Sequence, residues 1–105
     1  MTPQTIQTII SQYIDTVKKS GISIQKVYLF GSAAKGLMHP GSDIDLCIIS
    51  SSFGQDRQQE RVSLMNLRDD SSDIVEPHPY SLDDFNNPFD PLSSEIKKTG
   101  IQVVI

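Results

Sequence analysis

At 105 residues, 37% hydrophobic and 21% charged, the chain has the size and make-up of one globular domain, which excludes disordered and fibrous classes and leaves no room for a separate substrate domain. Any second substrate is therefore expected to be a partner protein, a small molecule or something held at a subunit boundary. The formal charge of −4 argues against binding DNA or RNA through the surface field of the chain, but not against nucleotides, because a bound cation reverses the local sign.

In chain order, Thr2-Pro3 suits a helix opening, with a capping hydroxyl before a proline. Ile6, Ile9, Ile10, Tyr13, Ile14 and Val17 follow at helical spacing, Lys18 and Lys19 suit the C-terminal dipole, and Gly21 stops the helix. Residues 24–30 carry the β-branched and aromatic content of a strand that Gly31-Ser32 ends. Residues 32–36 are expected to form a short helix, and His39-Pro40-Gly41-Ser42 a turn. Residues 43–50 are a second strand, with Ile44, Leu46 and Ile48 on one face and Asp43, Asp45 and Cys47 on the other.

A loop then leads to a rather polar helix over about 56–68, which Asp69-Asp70-Ser71-Ser72 breaks. Residues 73–77 read as a short third strand, and Pro77 and Pro79 suggest an edge or an extended segment. Residues 81–85 look like a capped helical turn. Ser93 or Ser94 can cap a further helix that Gly100 stops, and residues 101–105 form a last strand. The expected order is α-β-α-β-α-β-α-α-β.

A lone cysteine, Cys47, excludes an intramolecular disulfide framework and fits a reducing cytosol; inside a strand it reads as a small core residue. The N-terminus lacks a basic region followed by an apolar run, and no segment approaches a spanning helix. A cytoplasmic location is expected.

The chemistry-bearing residues gather in positions 27–49. Magnesium takes oxygen ligands and is held by one or two carboxylates plus substrate phosphates. Asp43 and Asp45, at i and i+2 of a strand and roughly 6 to 7 Å apart at Cα, project from one face and can converge on such an ion. As bland alternatives, either carboxylate could be a solvated strand-edge group. Gly31-Ser32, between an apolar strand and a helix start, lets phosphate oxygens approach backbone N–H groups, with Ser32 also able to serve as a plain N-cap. The sequence is neither a Walker loop nor a dinucleotide fingerprint, and an EF-hand fits poorly because Leu46, Cys47 and Ile48 stand where further ligands and a glycine would be needed.

Gly31-Ser32, Gly36 and Gly41-Ser42-Asp43-Ile44-Asp45-Leu46 resemble the signature of the DNA polymerase beta-like nucleotidyltransferase superfamily, and the short chain resembles its minimal members, often the antitoxin partner of a helical HEPN-type toxin. The resemblance implies an α/β (α+β) fold, a mixed β-sheet flanked by helices in a single domain over residues 1–105. It implies two Mg2+ ions and transfer of a nucleotidyl group from ATP or another NTP to a hydroxyl. Such families place a third acidic residue on a later strand; Glu76 and Asp73 are the candidates, on opposite faces by parity, and Glu76 is favoured because Val75-Glu76-Pro77 fits the pattern. Catalytic and metal roles therefore fall to Asp43, Asp45 and Glu76. Gly31, Ser32, Lys35 and Ser42 are assigned to the nucleotide.

Lys35 stands where many relatives carry arginine and can act as a point charge on the triphosphate, or lie solvated on a helix surface. Ala33 departs from relatives with a second arginine. His39 and His78 read as loop histidines. Expected partners are the nucleotide and a small helical HEPN-type protein, with homo-oligomerisation open. Two rival readings are an antitoxin that masks its partner without catalysis and a nucleotide-binding scaffold subunit.

Overall fold

A computed structural model of the chain describes residues 3–37 and 41–105. The expected cap at Thr2 and the turn residues His39 and Pro40 lie outside them. Helix α1 (Pro3–Lys19) buries Ile6, Ile10, Tyr13, Ile14 and Val17 on one stripe and ends where Gly21 takes a φ of 99°, a value open to glycine at little cost. Strands β1 (Ile24–Phe30) and β2 (Ile44–Ser50) run antiparallel; α2 (Arg57–Asn66) then crosses to β3 (Val75–Tyr80), parallel to β2. Helices α3 (Leu82–Phe85) and α4 (Pro91–Thr99) lead to β4 (Ile101–Val103), antiparallel to β1. The four-stranded mixed sheet has the order β3-β2-β1-β4.

Side-chain alternation along the strands divides the interior in two. Val27, Ile44, Leu46, Ile48 and Val75 pack against α1, Leu64 of α2 and Phe53. On the opposite face Phe30, Cys47, Ile49 and Tyr80 meet Phe85 and Ile96 of α3 and α4. The Tyr13 hydroxyl, buried in the first cluster, donates to the Leu64 carbonyl at 2.6 Å and joins the two helices of that layer. Cys47 is fully buried, and burial pushes its thiol up to about 12, as expected of a core residue.

Several expectations are corrected, among them the last strand, expected over 101–105, which ends at Val103. Residues 32–36 form no helix. They make one turn in which the Leu37 N–H donates to the Ser32 carbonyl at 2.9 Å and the Gly36 N–H to Ala33 at 3.4 Å. Gly36, at φ 70°, closes that turn as a Schellman-type stop before a second can form. The third strand is not confined to 73–77 but runs to Tyr80 through two prolines, which an edge strand tolerates because only one side must pair. Helix α4 starts earlier than Ser93, at Pro91. Asp90 caps it by accepting from the N–H groups of Leu92 and Ser93 at 2.9 and 3.2 Å.

Candidate active site

The site lies on the face of the sheet that carries α3 and α4, where β1 ends and β2 and β3 begin. Asp45, the second residue of β2, is paired in register with Phe30 of β1 and with Glu76 of β3. Opposite residues of adjacent strands share a face, so the two carboxylates are neighbours. Asp43 immediately precedes β2 and is exposed, and its charge and that of Glu76 both act on Asp45. Asp73 falls instead in the turn before β3, exposed. Of the two candidates for a third carboxylate, Glu76 is the one the fold sets beside Asp45.

Gly31 is fixed here by two requirements. Its φ is 74°, and a Cβ on it would lie 2.5 Å from the Asp45 carboxylate oxygen Oδ2. The bare backbone at the end of β1 therefore runs directly against the acidic group. Ser32, Ala33 and Ala34 follow, half-buried, while the Lys35 side chain is exposed on the turn and Ser42 is half-buried beside Asp43.

The start of β3 is held from behind. The Arg68 guanidinium donates to the carbonyls of Met65, Asp73 and Val75 at 3.1, 3.2 and 3.0 Å, and the Ile44 N–H donates to the Ile74 carbonyl at 2.8 Å. These contacts clamp the 69–74 turn between α2 and the sheet, setting the register that brings Glu76 opposite Asp45.

Two basic neighbours, an arginine and a histidine, were not assigned to the site from sequence. Arg61 of α2 reaches Glu76 with Nη2 2.9 Å from Oε2. His78 lies on β3, not in a loop, and places Nε2 3.5 Å from Asp45 Oδ1 and its ring edge-on to Phe30. That nitrogen is buried with no hydrogen-bond partner, so the approach to Asp45 is close without hydrogen-bond geometry. The parity of Glu76 and His78, i and i+2 on one strand, was the signal for His78; for Arg61, a polar helix residue, only the fold could show it.

Burial raises the Asp45 carboxyl above its usual range, His78 pulls it back, and Asp43 and Glu76 add to the rise. Burial, helped by the Arg61 charge, lowers His78, against the pull of Asp45 and Glu76. Three carboxylates supply hard oxygen donors of the kind magnesium takes, and the crowding of negative charge on Asp45 is what a divalent cation would relieve. Among the described residues, no three acidic, His or Cys side chains are closed around one ion position, with Glu76 drawn to Arg61. The donor set fits a metal in kind and charge. A separate groove of about 930 Å3 runs between α1 and β4, lined by Ile10, Leu29, Ile101 and Val103 on the other side of the sheet. It reaches Ala33 and Gly36 of the 31–36 turn, and none of the three carboxylates lines it.

The nucleotidyltransferase domain family matches the chain over residues 10–100. The chain belongs to that family. Among solved structures it is similar to a protein from Sulfolobus solfataricus assigned as a nucleotidyltransferase, with 14% identity over 94% of this chain and 76% of that one and a TM-score of 0.57. It is also similar to a chain of a toxin–antitoxin structure containing AMP-PNP, with 20% identity over 91% of this chain and 70% of that one and a TM-score of 0.59. At these identities the likeness is one of fold. No curated protein matches the chain in sequence.

Proposed function

We propose that residues 1–105 act as one minimal, magnesium-dependent nucleotidyltransferase domain that moves a nucleoside monophosphate, AMP from ATP, onto a hydroxyl of a small helical HEPN-type partner in the cytoplasm. The observation that carries this reading is the pairing of Asp45 with Glu76 across adjacent strands, with the backbone of Gly31 against the Asp45 carboxylate. The similar chain of a toxin–antitoxin structure with AMP-PNP supports the choice of an adenine nucleotide and of a toxin as partner.

Asp43, Asp45 and Glu76 would hold two Mg2+ ions, which supply neutralisation of triphosphate charge and a lowered pKa for the acceptor hydroxyl. Glu76 would complete the second metal site or take the proton of that hydroxyl. Gly31 and Ser32 receive the β- and γ-phosphates on backbone N–H groups and the Ser32 hydroxyl. Lys35 contributes a point charge toward the phosphates and Ser42 a hydroxyl. The acceptor oxygen bonds to the α-phosphorus, the α–β bridging bond breaks and pyrophosphate leaves.

A second reading, an antitoxin or nucleotide-binding module that works by binding alone, is favoured by Ala33 in place of a family arginine and by Glu76 being engaged with Arg61. The two readings separate on one experiment. With the partner present, Asp43→Asn or Asp45→Asn is expected to cut label transfer from an α-labelled NTP by more than about 100-fold while circular dichroism stays unchanged. Near-normal labelling by either variant sinks the enzyme reading. Neutralisation of the partner by the native chain and by both variants, with no labelling by any of them, establishes the binding module.

A further inference from the structure

We propose that Arg61 is an internal counter-cation of the acidic cluster, holding Glu76 in the metal-free site and giving up that carboxylate when a divalent cation binds. The inference rests on the assignment of Asp43, Asp45 and Glu76 as the metal-binding set. Three observations carry it. Arg61 Nη2 lies 2.9 Å from Glu76 Oε2, so the guanidinium engages one of the two carboxylate oxygens that could ligate a cation. Glu76 stands in register with Asp45, so the carboxylate held by Arg61 belongs to the cluster and not to a distant surface. The anchoring of α2 is independent of the pair. Asp56 caps the helix through the Gln59 N–H at 3.1 Å, and Leu64, three residues beyond Arg61, is fully buried.

A guanidinium and a divalent cation cannot share one carboxylate oxygen without repulsion, so each weakens the other at Glu76. The pair is also weak enough to open. The Arg61 and Glu76 side chains are 44% and 27% exposed, and an ion pair of that exposure contributes little. Arg57, one turn earlier, supplies the control within the same helix. It lies 4.0 Å over the Tyr80 ring and 3.7 Å from Asp90, with the same charge.

The test is Mn2+ affinity, read from the electron paramagnetic resonance signal of free Mn2+ with the full chain, at low ionic strength and without nucleotide. Arg61→Gln is expected to bind Mn2+ about two- to fivefold more tightly than the native chain. Arg57→Gln is expected to change little, and Arg61→Gln to lose most of its gain in a Glu76→Gln background. Unchanged or weaker binding in Arg61→Gln, with Mn2+ still lost in Asp45→Asn, overturns the role of Arg61 and leaves the carboxylate assignment standing. A gain of equal size in the Glu76→Gln background also overturns it, since the charge would then act from a distance. Absence of Mn2+ binding in every form, all shown folded by thermal melting, overturns both the counter-cation and the carboxylate assignment.

Discussion

Asp45 is more easily protonated in the folded chain than in the unfolded one, first because it is buried and then because Asp43 and Glu76 crowd it. A folded-state pKa above the unfolded value means that stability is highest with the proton bound and declines as pH rises through the folded pKa. At neutral pH the ionised side chain therefore destabilises the fold it serves, as expected of a group kept for chemistry. Asp45→Asn, neutral at every pH, should raise Tm by about 2 to 5 °C at pH 7, and the gain should shrink as pH falls below the carboxylate range. Melting curves across pH check this, and a lower Tm at pH 7 would contradict it. Gly31→Ala should act in the opposite sense. The added methyl meets Asp45 Oδ2 at 2.5 Å and the backbone is at φ 74°, so a loss of about 1 to 3 kcal/mol in denaturant unfolding is expected together with weakened nucleotide binding.

At the scale of elements, the position of Glu76 depends on the turn before β3, and Arg68 holds that turn by three carbonyls. Arg68→Ala leaves those acceptors to water and should cost about 1 to 2 kcal/mol, with a larger fractional loss of transfer than of nucleotide binding, because the carboxylate and not the phosphate turn is displaced. Equal losses in both would point to general unfolding. The sequence was informative wherever periodicity was strong. The isoleucine stripe of α1, the alternation of β2 and the apolar β1 all signal their elements directly, and the Gly31, Asp43 and Asp45 spacing marks the site. It was uninformative where local and tertiary terms compete. Residues 32–36 could nucleate a helix, but two positive-φ glycines bracket a single turn. Pro77 and Pro79 argued against a longer third strand, yet parallel pairing with β2 on one side alone carries β3 to Tyr80. His78 looked like a loop residue because its neighbours are prolines, whereas strand register places it in the site.

For the whole molecule, the mixed sheet places its carboxylates at one end, and α3 and α4 cover the rest of that face. No helix among the described residues is long and apolar enough to cross a membrane, and the net charge of −4 leaves the recognition of phosphate to local groups. The family places the chain among nucleotidyltransferases. The most direct measurement supplies ATP labelled at the α-phosphate or at the γ-phosphate, with Mg2+ and the partner, and follows both the protein-bound label and the released product. Only the α-label is expected to reach the partner, with pyrophosphate released in equal amount, and both are expected to vanish in Asp43→Asn and Asp45→Asn. Transfer of the γ-label, or release of inorganic phosphate in place of pyrophosphate, would contradict nucleotidyl transfer.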